Sequence, residues 1–192
     1  MNGFILHLLR HGPPLRPGLL LGQTDEPALD AGCPKLMSRV QALQIKRIVT
    51  SDLKRASASA KIMAEARSLS LVADSRWREL NFGGWEGLAP EQVPQDVLGR
   101  FWADPEANPP PGGERWSDLR TRVSEAIGDI SGHALVVTHA GAMRAALSVL
   151  TGLDHRGVWA LDLPYGALLT LRVWPGEPCS AQVVGLRMGD AE

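Results

Sequence analysis

The sequence has almost no surplus of charge of either sign, because it contains 20 lysine and arginine residues and 21 aspartate and glutamate residues, for a formal net charge of −1. Without a block of like charges, binding to a nucleic acid or to a charged membrane surface has little support. The longest apolar runs fall well short of the roughly 20 residues that span a bilayer. The first residues, MNGFILHLLRHG, lack a basic start and a small-residue cleavage site, so we expect a first strand rather than a signal peptide.

Cysteine is also scarce, since only Cys33 and Cys179 are present, far apart and outside any CxxC or Cys/His pattern. We therefore expect reduced structural thiols in a cytoplasmic protein. No third ligand with metal-like spacing accompanies the histidines, so we expect neither a metal nor another cofactor. Internal repeats and low-complexity tracts are absent from the sequence as well.

What is present is the pattern of an α/β domain of 192 residues, 44% of them hydrophobic. Apolar runs of strand length alternate with helical patterns, which predicts a three-layer sandwich with a mainly parallel sheet and helices on both faces. We expect a single domain over residues 1–192, in which residues 81–116 form a small cap-like insertion. The final runs, 166–174 and 180–188, alternate around a PGEP turn and predict an edge hairpin, which could pair across a two-fold axis in a homodimer.

Cationic and titratable residues follow the ends of three predicted strands. Arg10, His11 and Gly12 end the first strand, Arg55 lies just after the second, and His139 ends the strand at 133–139. Ligands of such sheets bind at the carboxyl ends of the strands. Arginine matches phosphate oxygens with a planar fork, and a helix that begins after His139 adds a positive dipole. The pattern predicts an anion site for a phosphoryl group.

Each of these residues has a simpler interpretation when it is taken alone. A histidine at a strand end is most often a hydrogen-bonded structural residue, and Arg55 alone would be a solvated helix residue. Two histidines also allow a zinc site, although two neighbouring guanidinium groups would repel a cation. The coincidence of all of them at one edge, with glycines that allow close approach to the backbone, favours the anion site.

Four motifs, in order along the chain, resemble those of the histidine phosphatase (phosphoglycerate mutase-like) superfamily. They are RHG, SDLKRASASA, RELNFGGWEG and VTHAG, and the resemblance covers roughly residues 4–150. Within the superfamily the chain is most similar to bacterial α-ribazole phosphatases, on the segments NFGGWEG and FWADPEANPPPGGER and its short length. The loop after RHG reads PPLRPG and departs from the family by lacking its polar side chains.

The resemblance implies a role for each motif residue. His11 would attack phosphorus and form a phosphohistidine, with its other ring nitrogen held by a backbone carbonyl near Gly12. Glu79 would protonate the leaving oxygen and then activate water, and His139 would complete the catalytic set. The residues that would hold the phosphoryl group are Arg10, Gly12, Arg55 and His139. Those that would contact the rest of the substrate are Gly22, Gln23 and Ala140.

The implied function is a metal-independent phosphomonoesterase that acts on a small phosphorylated metabolite, specifically α-ribazole 5′-phosphate in cobalamin biosynthesis. Three alternatives remain open at this point. They are a broad-specificity phosphatase for sugar or other small phosphates, a phosphoglycerate mutase that uses the same phosphohistidine, and a non-catalytic anion-binding member of the fold.

Overall fold

The computed structural model describes residues 3–189; residues 1, 2 and 190–192, the ends of the predicted domain, lie outside the described residues. The strands and helices alternate for most of the chain. The strands are β1 (Phe4–Arg10), β2 (Arg47–Thr50), β3 (Ser70–Ala73), β4 (Ala134–Thr138), β5 (Leu168–Trp174) and β6 (Ser180–Arg187). The α-helices are α1 (Pro34–Gln41), α2 (Lys54–Arg67), α3 (Gln95–Ala103), α4 (Trp116–Gly128), α5 (Ala140–Thr151) and α6 (His155–Trp159).

The six strands form one mixed sheet in the order β3-β2-β4-β1-β5-β6. The first four are mutually parallel, whereas β5 pairs antiparallel with β1 and β6 pairs antiparallel with β5. The carboxyl ends of β1, β2 and β4 therefore lie at one edge of the sheet. Because β5 runs the other way, the loop that precedes it reaches this same edge.

Each face of the sheet has its own hydrophobic cluster, because successive strand side chains point to opposite faces. Leu135 and Val137 of β4 pack with Leu36 of α1 and Met63 of α2. The larger cluster on the other face includes buried residues of α3, α4 and α5. The predicted α/β sandwich with a mainly parallel sheet and helices on both faces is confirmed.

The predicted boundaries differ from the observed ones mostly at the helix ends. The apolar spacing within residues 30–43 and 114–130 predicts a helix over each range. The observed helix α1 begins only at Pro34, and α4 begins only at Trp116. The short helix α6 was not predicted, because five residues are too few to show a helical period. The final hairpin is present as predicted, with β6 at the sheet edge, and the homodimer through it stays a prediction.

The segment 81–116 contains two short 3₁₀ helices, Gly83–Trp85 and Pro90–Gln92, followed by α3. Leu98 and Phe101 of α3 are buried in the larger cluster, while Trp102 remains 39% exposed. The segment thus packs against the body of the domain through one face of α3 and presents Trp102 toward solvent. None of the helices between residues 3 and 189 has both the length and the apolar character needed to span a bilayer.

Candidate active site

His11 lies directly after β1, with its backbone amide bonded to the Thr138 carbonyl at 2.9 Å. Its ring Nδ1 is 2.6 Å from the carbonyl oxygen of Gly12, which can only accept, so Nδ1 carries the proton and Nε2 keeps its lone pair. Burial, followed by the nearby charges of Arg55 and Arg10, lowers the pKa of His11 well below its usual value. His11 is therefore a neutral imidazole with a free basic nitrogen, and the expected backbone carbonyl is that of Gly12.

His139 is fully buried beside it, with the two ring centroids 4.9 Å apart. Its Nε2 is 2.9 Å from the Ser51 hydroxyl, and its Nδ1 accepts from Arg55 Nε at 3.3 Å. Burial, followed by the charges of its neighbours, lowers the pKa of His139 well below its usual value. In this arrangement Nε2 carries the proton, so His139 is neutral as well.

Arg55 lies in the first turn of α2 and is only 1% exposed. Besides its contact with His139, it donates to the carbonyls of Leu21, Gly22 and Thr24 at 2.6–3.0 Å. The buried guanidinium thus holds the 21–24 segment against the site. Burial lowers the pKa of Arg55, which still stays charged at neutral pH.

Arg10, the last residue of β1, lies on the other side of His11. Its Nη1 donates to the Leu163 carbonyl at 2.6 Å, and its guanidinium carbon is 4.0 Å from the ring centroid of Tyr165. Its Nε is buried and has no hydrogen-bond partner among the described residues. Tyr165, in the loop before β5, also contacts His11 at 5.5 Å between ring centroids. A buried donor without a partner is costly, so an acceptor is expected there.

The carboxyl group of Glu79 is held by two backbone amides. Oε1 accepts from Leu80 at 2.9 Å and Oε2 accepts from Gly141 at 3.0 Å, in the first turn of α5. A Cβ atom at Gly141 would lie 2.1 Å from Oε1, so any other residue there would displace the carboxyl group from this position. The glycine of the VTHAG motif at the start of α5 therefore makes room for the glutamate of the RELNFGGWEG motif.

The backbone around Glu79 is fixed by two side chains from elsewhere in the chain. Arg122 of α4 donates to the carbonyls of Arg76, Arg78 and Glu79 at 2.7–2.9 Å, and Gln23 Nε2 donates to the Glu79 carbonyl at 2.9 Å. Arg122 is also in a bidentate ion pair with Glu114, at 2.6 and 2.9 Å. These contacts place Glu79 without touching its carboxylate.

These groups surround one cavity of about 290 Å³. Of the predicted site residues, Arg10, His11, Arg55, Glu79 and Ala140 line it. His139 does not line the cavity but contacts the ring of His11, and the Gly12 carbonyl accepts the hydrogen bond from His11 Nδ1.

Two of the predicted substrate contacts, Gly22 and Gln23, do not line this cavity. The amide of Gly22 bonds to Glu86 at 3.1 Å and its carbonyl bonds to Arg55 at 2.7 Å, so Gly22 joins two parts of the site. A Cβ atom there would lie 2.1 Å from the Leu80 carbonyl, which explains the glycine. Pro14 of the PPLRPG loop does line the cavity, whereas Arg16 forms an ion pair with Glu26.

Two polar residues of the cavity, Arg144 and Tyr165, escaped the sequence prediction. Arg144 lines the wall on α5, one turn after Gly141, and Tyr165 lies under Arg10. Five aromatic side chains also line the cavity: Phe82, Phe101, Trp102, Trp116 and Trp159. The spacing of Arg144 from the VTHAG motif was an available signal, because residues three to four apart on a helix share a face.

Metal-ligating groups do not gather within the described chain: no three histidine, cysteine, aspartate or glutamate side chains lie close enough to hold an ion. Cys33 and Cys179 are both free thiols.

Known proteins match both the sequence pattern and the fold. The model of the "Histidine phosphatase superfamily (branch 1)" matches residues 6–184. A Yersinia pestis (strain Pestoides F) protein named "Probable phosphoglycerate mutase GpmB" is 32% identical over 163 residues, which are 77% of this chain and 75% of that protein.

Solved structures agree with this assignment. The protein TTHB049 from Thermus thermophilus is 31% identical, with a TM-score of 0.73 over 97% of this chain and 100% of that one. The mycobacterial glucosyl-3-phosphoglycerate phosphatase Rv2419c, in complex with inorganic phosphate, is 26% identical, with a TM-score of 0.80 over 95% of this chain and 96% of that one. The chain therefore belongs to the histidine phosphatase superfamily and is a phosphatase enzyme.

Proposed function

We propose that this protein is a metal-independent phosphomonoesterase that works through a phosphohistidine on His11. The observation that carries the proposal is the protonation state of the His11 ring, which lies in a cavity lined by Arg10, Arg55 and Glu79. A proton on Nδ1 and a lone pair on Nε2 are what an in-line attack on phosphorus needs. The depressed pKa of His11 keeps that lone pair available throughout the neutral pH range.

In the first step, a bond forms from Nε2 of His11 to phosphorus, and the ester P–O bond breaks. Arg10 and Arg55 neutralise the charge that spreads over the equatorial oxygens, and the unpartnered Nε of Arg10 gains an acceptor. Because the Ser51 hydroxyl can donate as well as accept, His139 can carry its proton on Nδ1 once a phosphoryl oxygen replaces Arg55 as its partner.

In the first step Glu79 reacts from its protonated form, gives its proton to the leaving oxygen and becomes a carboxylate. In the second step, water attacks phosphorus, its proton passes to Glu79, and the P–N bond breaks to release phosphate and restore neutral His11. The amides of Leu80 and Gly141 hold the two oxygens of Glu79 in place through both steps.

For the substrate, we propose α-ribazole 5′-phosphate, with the segment 81–116 acting as a cap over its base and sugar. The support from the structure is the aromatic wall of the cavity, which suits a flat, apolar base next to a phosphoryl site. Phe101 and Trp102 of α3 place the cap segment in this wall.

The test of the reaction uses His11→Ala and Glu79→Gln in the absence of added metal. His11→Ala should abolish phosphate release, and the wild-type protein quenched during turnover should carry acid-labile phosphate on His11, seen by mass spectrometry. Glu79→Gln should slow alkyl phosphates by about 10²- to 10⁴-fold, but p-nitrophenyl phosphate much less, because its leaving group needs little protonation. Equal losses for both substrates would remove the acid role, and loss of activity in chelator would remove metal independence.

A second candidate follows from the relative named as a phosphoglycerate mutase. Incubation with 3-phosphoglycerate separates the two activities: a phosphatase releases inorganic phosphate, whereas a mutase yields 2-phosphoglycerate without net release. Rapid release from α-ribazole 5′-phosphate, with kcat/KM above about 10⁴ M⁻¹s⁻¹, is the result expected for the proposed substrate.

A further inference from the structure

Tyr165 contacts two groups that the proposed chemistry uses, although the chemistry itself gives it no part. The guanidinium carbon of Arg10 lies over the Tyr165 ring, 4.0 Å from its centroid, and the ring of His11 is 5.5 Å away between centroids. Tyr165 also lines the catalytic cavity. Its position therefore bears on how Arg10 meets a phosphoryl group.

The backbone around Tyr165 is bonded to the end of β1. The amide of Gly166 donates to the His11 carbonyl at 3.2 Å, and the amide of Arg10 donates to the Ala167 carbonyl at 2.9 Å. Gly166 has a φ of 73°, in the left-handed region that favours glycine, and this turn leads the chain into β5. The turn thus holds Tyr165 in a fixed position relative to Arg10 and His11.

The head of Arg10 is held by two uncharged partners. Its Nη1 donates to the Leu163 carbonyl at 2.6 Å, and the Tyr165 ring lies beneath the guanidinium. One hydrogen bond leaves the planar group free to turn about that bond, and contact with a ring face restricts this motion. The donors of a guanidinium lie in its plane, so a partner on its face leaves them for phosphoryl oxygens. The buried Nε, which has no partner in the described part of the chain, is one of these donors.

A carboxylate in place of the ring would also hold Arg10, but it would compete with the phosphoryl group for the donors and the charge. A ring face attracts a cation through its quadrupole and leaves the net charge of the site unchanged. Burial lowers the pKa of Arg10, and the nearness of Tyr165 opposes this shift. Tyr165 thus stabilises the cation in a poorly hydrated site without neutralising it.

Tyr165 also separates the catalytic cavity from a second cavity. The second cavity has a volume of about 480 Å³, and both Arg10 and Tyr165 line the two cavities. Its other walls include Cys33, Lys35 and Leu36. A smaller side chain at position 165 would join the two cavities and admit water to Arg10, which would weaken the interaction of Arg10 with the charge of the transition state.

We propose that Tyr165 is a positioning residue for phosphoryl transfer, whose ring fixes the Arg10 guanidinium in the orientation that the transition state needs and screens it from water. The inference rests on the proposed phosphatase function and goes beyond it. Tyr165 acts through Arg10, so its contribution is lost when Arg10 is absent. The ring rather than the hydroxyl carries the effect, because the ring supplies both the contact and the barrier to water.

A double-mutant cycle between Tyr165 and Arg10 tests this pathway. The four proteins are the wild type, Tyr165→Leu, Arg10→Met and the double variant, and kcat/KM is measured with p-nitrophenyl phosphate. Tyr165→Leu should lower kcat/KM by about 10- to 100-fold when Arg10 is present, because a misplaced guanidinium no longer matches the equatorial oxygens. In the Arg10→Met background the same substitution should lower kcat/KM by less than about threefold.

The dissociation constant of orthovanadate, titrated by tryptophan fluorescence, closes the same cycle without depending on turnover. Vanadate can take a fifth ligand from a histidine nitrogen and then resembles the transition state of in-line attack, whereas inorganic phosphate resembles the product. Tyr165→Leu should weaken the binding of orthovanadate at least about tenfold and that of inorganic phosphate by less than about threefold. A merely structural defect would weaken both alike.

Two further variants separate the ring from the hydroxyl and from general damage to the fold. Tyr165→Phe keeps the ring and should retain kcat/KM within about threefold of the wild-type value. Trp174→Leu removes a partly buried aromatic side chain at the far end of β5, outside both cavities, and should leave kcat/KM unchanged. Circular dichroism gives the folded fraction of each variant, by which its rate is corrected.

The other outcomes have distinct meanings. Equal losses from Tyr165→Leu in both backgrounds would show that Tyr165 acts on His11 or on the fold, and would overturn the proposal. Equal losses from Tyr165→Phe and Tyr165→Leu would assign the effect to the hydroxyl and refute the role of the ring. Wild-type kinetics for Tyr165→Leu would rule out positioning by Tyr165 and leave the phosphatase proposal standing. No phosphate release from any substrate by the wild-type protein would overturn the phosphatase function itself.

Discussion

Lowering the pH from about 7.5 to about 5.5 should strongly destabilise the fold, because three histidines are buried in their neutral form. Burial, with the charges of His133 and Arg187, lowers the pKa of His7 to about 4, and the pKa values of His11 and His139 are lowered well below the usual value. In the unfolded chain all three titrate near about 6.5. Below that pH the unfolded state binds protons that the folded state does not, so stability is lost as the pH falls.

The size of the loss follows from the same values. At a pH of about 5.5, each histidine that titrates near 6.5 unfolded and much lower when folded costs about 1.4 kcal/mol relative to pH 7.5. Three such groups together lower the free energy of unfolding by about 4 kcal/mol, a large share of the roughly 5–15 kcal/mol typical of a domain. Above a pH of about 7.5 the contribution should be constant.

Urea denaturation followed by tryptophan fluorescence, in phosphate-free buffer at several pH values, measures this loss. His7→Gln provides the internal comparison, because glutamine can keep a hydrogen bond to Thr170, which now lies 3.0 Å from the His7 ring. The variant should lose about 1.4 kcal/mol less than the wild type over the same interval. A wild-type loss under about 1 kcal/mol, or identical pH profiles for the two proteins, would refute the reasoning.

Two further predictions concern the placement of Glu79. Gly141→Ala would put a methyl group 2.1 Å from the present position of the Glu79 Oε1 atom. Steady-state kinetics should therefore show the turnover of alkyl phosphates reduced about 100-fold or more, at nearly unchanged thermal stability. Turnover equal to that of the wild type would contradict the contact. Arg122→Met breaks the partly buried ion pair with Glu114 and should lower the free energy of unfolding by about 3 kcal/mol. The control Arg120→Met, on the exposed face of α4, should change it by under about 0.5 kcal/mol. Urea titration measures both values.

Much of the site could be read from the sequence, because parallel strands bring their carboxyl ends to one edge. Arg10, His11 and His139 each end or follow a strand, and Arg55 follows one at a short, fixed distance. Local chain order was therefore enough to predict that they converge. The α/β architecture could be predicted as well, since apolar runs and helical periods are patterns of residues that are close together in the sequence.

Other parts of the site could not be predicted from the sequence, because they depend on the order and direction of the strands in the sheet. Tyr165 reaches the site only because β5 is antiparallel to β1, so the loop before β5, rather than the one after it, lies beside Arg10. Gly22 and Gln23 were expected to contact substrate, but the structure ties them to Arg55, Glu86 and the backbone of Glu79. No local pattern records such pairings, because they join residues far apart in the chain.

The sequence by itself determined the strand-end residues and the order of the motifs, because these depend on the local run of the chain. Arg10 and His11, which are among those residues, line the cavity in which we propose that a phosphoryl group binds. Only the tertiary structure decided the packing of the segment 81–116 and α6, which brings the indole rings of Trp102 and Trp159 together beside Arg144. The physical reason is that stacking and hydrogen bonding between distant side chains depend on how the elements pack, and this packing is a property of the whole core.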